Sequence, residues 1–165
     1  MMKSIARTTK IGLPILVFSS LILLWGCTGN VAYENYMEIP EGGWHQNDPA
    51  VFSVEIADTN TYYNLFVNIR HDVNYKYRNL WVFADIDYPD GRNTSDTIEF
   101  VIGNKEGKWL GKGLGKTKED NILLSRNIRF VNEGEYIFSF RQGMREEDQI
   151  LENINDFGIS VVKVK

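Results

Sequence analysis

Leu80-Trp81-Val82-Phe83-Ala84-Asp85-Ile86-Asp87-Tyr88-Pro89-Asp90-Gly91, answered by Thr94-Ser95-Asp96-Thr97-Ile98-Glu99-Phe100-Val101-Ile102, is the stretch that decides the fold. Its residues alternate with period two. Leu80, Val82, Ala84 and Ile86 share one face, and Asp85 and Asp87 take the other. Successive side chains of a strand point to opposite faces, so this is a strand and not a helix. Pro89-Asp90-Gly91 then turns the chain: proline pre-sets φ, and glycine tolerates positive φ. Ile98, Phe100 and Ile102 restore the alternation on the way back, which predicts an antiparallel hairpin.

The same period extends in both directions. Phe52, Val54 and Ile56 share a face in 50–56, and so do Tyr63, Leu65, Val67 and Ile69 in 62–70. The stretches 121–130 and 134–141 read as a second hairpin around Asn132-Glu133-Gly134, with Tyr136, Phe138 and Phe140 on one side. Ile159 and Val161 mark a closing strand, and 31–39 reads as an edge strand. Only 144–155 admits a helical turn or two. Seven or eight short strands with regular turns predict an all-β fold, a single antiparallel β-sandwich of jelly-roll type over 33–165. A closed barrel is the alternative.

The first residues belong to another category. Lys3, Arg7 and Lys10 precede an uncharged, mostly apolar run of 15 residues, Ile11 to Trp25. About 20 apolar residues are wanted to span a bilayer, so this reads as an export signal over 1–26. Leu23-Leu24-Trp25-Gly26-Cys27 resembles a bacterial lipobox, although Trp25 stands where a small residue is usual. Cys27 is the sole cysteine of the chain. It is the expected lipidation site, followed by a tether over 27–32. Each buried methylene adds ~0.8 kcal/mol, and a lipoprotein's several acyl chains hold it to a membrane. That covalent lipid is the only group expected; no cofactor and no metal are.

Composition narrows the partners. The whole chain carries a net charge of −4, and removing the signal removes three bases and no acid. A nucleic-acid partner wants a basic face, so none is expected. No Gly-x-Ser-x-Gly or His-Glu-x-x-His occurs, Cys27 is consumed by lipid, and His45 and His71 read as structural. The expectation is therefore no enzyme, no catalytic residue and no small-molecule substrate. Asp85, Asp87 and Asp90 lack the spacing of a calcium loop and read as a solvated face. Arg141 and Arg145 are expected to pair with Glu146 or Asp148. Trp44, Trp81 and Trp109 raise a second function, a glycan-binding module on the cell envelope. For Trp81 and Phe83 the alternative is a strand covered on both faces.

The compositional oddity is Gly103 to Lys118, with five glycines and five lysines against the single acid Glu106. Gly111-x-Gly113-x-Gly115 lacks the Gly-Lys-Ser/Thr ending of a phosphate loop. The stretch reads as a long connection, anchored on the core by Trp109-Leu110. Long connections often carry function, so Lys105, Lys108, Trp109 and Lys112 are the candidate partner-binding residues.

Several ordered blocks then point the same way: Val31-Ala32-Tyr33-Glu34-Asn35-Tyr36, Trp44-His45-Gln46-Asn47-Asp48 and Tyr62-Tyr63-Asn64-Leu65-Phe66-Val67-Asn68-Ile69-Arg70. Tyr77-Arg78-Asn79-Leu80-Trp81-Val82-Phe83 and Tyr88-Pro89-Asp90-Gly91 follow. Gly107-Lys108-Trp109-Leu110-Gly111 with Gly113-Leu114-Gly115, and Arg141-Gln142-Gly143-Met144-Arg145-Glu146, complete the set. On these the chain resembles the gliding-motility lipoprotein GldH family. The resemblance implies a lipoprotein of a gliding machinery in bacteria that use type IX secretion, with envelope or motility proteins as partners and no enzymatic activity. No acidic cluster follows Cys27, which favours a domain on the outer membrane facing the periplasm.

Overall fold

The structure is a computed structural model that describes residues 29–165. The signal peptide and Cys27 lie outside the described residues. Ten strands follow one another: β1 (Val31–Glu38), β2 (Trp44–His45), β3 (Ala50–Ile56), β4 (Tyr63–Asp72), β5 (Asn79–Asp87), β6 (Asn93–Val101), β7 (Thr117–Ile128), β8 (Gly134–Gln142), β9 (Ile150–Leu151) and β10 (Ile154–Lys163). One sheet has the order β1-β10-β4-β7 and the other β3-β8-β5-β6; β2 and β9 form a small ribbon. Every pairing is antiparallel. Setting the ribbon aside, this order of eight strands is that of a jelly roll.

The period-two faces become the core. Ala50, Phe52, Val54 and Ile56 are buried, as are Leu80, Val82 and Ala84 and, from the other sheet, Leu65, Val67, Ile69, Phe157, Ile159 and Val161. Phe157 stands at the centre, with ring centroids 5.1 Å from Trp44 and 5.1 Å from Phe140. At one end Tyr63, Phe130, Tyr136 and Tyr88 stack edge to face. Such pairs add about 0.5–1.5 kcal/mol each beyond area burial.

Four expectations change. First, 121–130 and 134–141 do not pair. β7 pairs with β4, while β8 lies between β3 and β5, in the other sheet. The connection crosses between sheets because Phe130 packs inside against Tyr136, and the Tyr136 hydroxyl donates to the Asn132 carbonyl at 3.0 Å. Second, 144–155 has no helix. Ile150–Leu151 pairs with Trp44–His45, and Gln149 and Asn153 adopt φ of 60° and 67° to turn the chain. Third, β1 starts at Val31, inside the segment read as tether. Fourth, Arg141 pairs with Asp85, at 3.4 Å, and Glu146 faces Lys76 and the Tyr77 hydroxyl.

The edge strand β1 is held down by one residue. Glycine is required at 158, because a Cβ there would lie 2.6 Å from the Asn35 carbonyl and 2.7 Å from the Tyr36 ring. Tyr36 crosses this gap, meets Arg70 face-on at 4.5 Å, and donates to Glu119 at 3.3 Å. Burial, then the Glu119 and Glu34 carboxylates, push its hydroxyl up to about 12, so it stays a donor.

The strand directions define two ends. The near end holds Val31, residues 57–62, 88–92 and 129–133, and the C-terminus; the far end holds residues 39–49, 73–78, 102–116 and 143–153. The chain enters at the near end.

Candidate functional site

The lysine-rich stretch lies at the far end. It is ordered by its own backbone. Asn104 accepts from the amides of Glu106 and Lys108, and Gly103 bridges to Trp109. Lys112 and Glu119 exchange two backbone hydrogen bonds of 2.9 and 2.7 Å. A second small hairpin follows from Gly111 to Thr117. Its glycines are structural: a Cβ on Gly111 would meet Asp120 Oδ2 at 2.5 Å, one on Gly113 would run into the Thr117 carbonyl, and Gly115 has φ of +73°. The run is a tightly folded hairpin and makes no phosphate cradle.

Trp109 is half-buried, and its ring lies 4.5 Å from His71 and 6.4 Å from Tyr75. It holds the stretch to the core. Leu110, expected to help, is instead 55% exposed. Lys105, Lys108 and Lys112 are all exposed. The residue that composition did not single out is Leu114, 99% exposed at the tip of the hairpin. Its signal is Gly113-Leu114-Gly115: glycines on both sides let the backbone turn and leave the leucine nothing to pack on.

Beneath Trp109 lie two buried polar side chains in close approach. His71 and Asp120 face each other across β4 and β7, Nε2 to Oδ2 at 3.3 Å. His71 Nδ1 donates to the Asp72 carbonyl at 2.9 Å, since a carbonyl can only accept. Nε2 and Oδ2 make no hydrogen bond among the described residues, to each other or to any third group, so this close approach leaves two buried polar atoms facing each other. His71 continues the odd-numbered inner face of Tyr63, Leu65, Val67 and Ile69, which is the signal that could have placed it inside. The pair lies under the lysine-rich stretch 103–118, which Trp109 straps to the core.

The three tryptophans do not form a platform. Trp44 is 1% exposed, Trp109 is spent on His71, and Trp81 is 39% exposed on the outer face of β5. The reading of Trp81 as covered on both faces is therefore corrected: β8 and β6 flank β5, but the outer face at Trp81 is left open among the described residues. A shallow cleft of about 630 Å³ runs past Tyr77, Trp81, Phe83 and Arg145. The blocks 77–83 and 141–146 meet there. Asp85 and Asp90 are engaged elsewhere, by Arg141 and Ser95 and by Arg92 and Asn132. The hydrogen bonds from Arg92 hold the Asp90 carboxyl below its usual range. No group of three metal-ligating side chains occurs among the described residues.

Comparison with known proteins places this arrangement. The family described as GldH lipoprotein matches residues 31–161, from the first residue of β1 into β10. The chain belongs to the GldH lipoprotein family. A relative from Christiangramia forsetii, "Gliding motility lipoprotein GldH homolog", is 34% identical over 154 residues, covering 90% of this chain and 93% of that one. "Gliding motility lipoprotein GldH" of Flavobacterium johnsoniae is 30% identical over 145 residues, covering 85% and 89%. A solved structure, the infectious bursal disease virus VP2 subviral particle, aligns with 81% of this chain and 30% of its own at a TM-score of 0.33 and 16% identity; a likeness that slight carries no argument. The GldH match spans both sheets, so the strap, the buried pair and the Trp81 cleft all sit on the family's domain.

Proposed function

We propose that this GldH-family chain is a non-enzymatic lipoprotein of the cell envelope, held by lipid on Cys27 and working through contacts with other proteins of a gliding motility or type IX secretion assembly. The observation that carries this reading is the extent of the match. It runs over the whole sandwich and at 30–34% identity to relatives whose names print gliding motility lipoprotein. The far-end stretch, with Lys105, Lys108, Trp109 and Lys112, supplies the contact surface, with Trp109 fixing it from inside. The domain faces the periplasm from the outer membrane. Trp81 alone does not sustain a glycan reading, because the other two rings are turned inward.

Affinity capture of the tagged lipoprotein from crosslinked membranes is expected to recover a defined set of envelope proteins. Recovery of none, with the tagged protein itself intact, would contradict the reading. Protease added to intact cells should leave the domain uncut; its digestion would move it to the cell surface.

A further inference from the structure

The exposed leucine at position 114 has no structural use in the fold, and its setting is specific. Leu114 stands 99% exposed at the apex of the Gly111–Thr117 hairpin. Lys112 and Lys116 are exposed on either side of it. At the hairpin's foot lies an open cleft of about 710 Å³ lined in part by Val101, Leu110, Ile122 and Leu123. Val101 and Leu110 are themselves 50% and 55% exposed. Val101, Leu110, Ile122 and Leu123 thus share one cleft at the foot of the hairpin that carries Leu114, whereas single exposed apolar residues would be ordinary.

The charge around it is one-sided. Lys105, Lys108, Lys112, Lys116 and Lys118 all belong to this stretch, in a chain whose net charge is −4. Of the neighbouring acids, Glu119 is paired with Arg70 and Asp120 is buried, which leaves the single exposed acid Glu106 against these lysines. The hairpin is also pre-ordered. Its two Lys112–Glu119 backbone bonds and the bond from Lys118 Nζ to the Gly113 carbonyl, 2.8 Å, fix it without a partner. A pre-formed element loses less conformational freedom on binding.

We propose that the Leu114 hairpin is a docking element for a partner protein that presents an acidic surface around an apolar socket. This rests on the reading of the chain as a protein-binding lipoprotein and names the face used. The anchor's position argues for a protein over the anchoring membrane. Val31 is four residues beyond Cys27, a reach of roughly 14 Å at most. The near end is thus held at the lipid surface. The hairpin begins beyond the other end of the 12-residue β7, roughly 36 Å away at about 3.3 Å per residue. With the strands standing away from the membrane, that is several times the screening length of about 8 Å at physiological salt, and the lysines meet a protein and not the anchoring lipid.

The test uses the full-length lipoprotein in its native membranes, with the photo-crosslinking residue benzoylphenylalanine at position 114 and, as control, at exposed position 51. Light should yield one discrete protein adduct at 114 and none of that mass at 51. Lys112→Glu combined with Lys116→Glu should lower its yield at least tenfold, and so should 0.5 M salt. In the protein without the crosslinking residue, Leu114→Ser should abolish recovery of that same partner by affinity capture while leaving the melting temperature unchanged, because an exposed side chain contributes no packing. A lipid adduct at 114, identical adducts at 114 and 51, or a yield indifferent to charge reversal would each overturn the inference. If whole-protein capture still recovers envelope partners in those cases, the docking face is wrong and the broader function stands. If a partner crosslinks at 114 but lies outside any envelope assembly, the face stands and the broader function fails.

Discussion

His71→Phe is expected to lower the stability of the domain by about 1–3 kcal/mol, the cost of leaving a buried polar group without the group that faces it. The aromatic ring is kept, so the edge contact with Trp109 survives. What is lost is the polar group that faces Asp120 Oδ2 among the described residues, in a site where the two side chains are 0% and 5% exposed. Asp120→Val should cost a similar amount for the converse reason, leaving Nε2 without the group that faces it. The double substitution should cost clearly less than the sum, because an apolar pair of similar volume leaves no orphaned group. Chemical denaturation of the four proteins measures this cycle. Additive losses would mean that the pair is not coupled and that the 3.3 Å approach contributes nothing. The strap should follow the pair. With His71 or Asp120 replaced, proteolytic cutting within 103–118 should rise before the sandwich unfolds.

Trp44→Ala is expected to cost about 3–5 kcal/mol, the usual range for emptying a buried aromatic site. Trp44 is 1% exposed, contacts Phe157 at 5.1 Å, and donates through Nε1 to the Asp48 carbonyl at 2.7 Å. It closes the far end of the core from the two-residue strand β2, which has only β9 as a neighbour. Its loss therefore removes both the packing and the clasp on 39–49. Trp44→Phe restores much of the packing but leaves the Asp48 carbonyl without its donor, and should fall between the two. Thermal and denaturant unfolding give the order; a Trp44→Ala protein within 1 kcal/mol of the parent would mean that the ribbon is dispensable to the core.

The β5–β6 hairpin is the one pairing of long strands that joins neighbours in sequence, and it is the one that the sequence shows in full. Every other consecutive pair of long strands crosses between sheets. Alternation identified Phe52, Val54, Leu65, Val67, Phe138 and Phe140 as inward-facing, because burial needs only the period. It could not say which strand lies beside which, because β1 with β10 and β3 with β8 are joined through distant segments. That is why 121–130 and 134–141 looked like a hairpin: adjacency and a glycine turn are shared by hairpins and by sheet crossings. The Asn132–Tyr136 hydrogen bond that fixes the crossing has no signature in periodicity.

The far-end stretch was legible by composition, since glycine and lysine cluster nowhere else in the chain in this way. Trp109 was correctly read as an inward anchor. Leu110 was not an anchor, and Leu114 was overlooked, because an isolated leucine reads as core unless the flanking glycines are taken as a hairpin. His71 reads as structural, and its odd-numbered register with Ile69 places it inside, facing Asp120 on the neighbouring strand.

A GldH-family sandwich held at one end and engaged at the other should not exist as a free monomer in its membrane. The measurement that bears on this most directly is the size of the complex containing the lipoprotein, taken by native electrophoresis of mildly solubilised membranes from unmodified cells. The account predicts a discrete species well above the mass of the lipoprotein alone, which dissociates when the partner set recovered by capture is depleted. Migration as a single detergent-bound chain, unchanged after crosslinking, would contradict it.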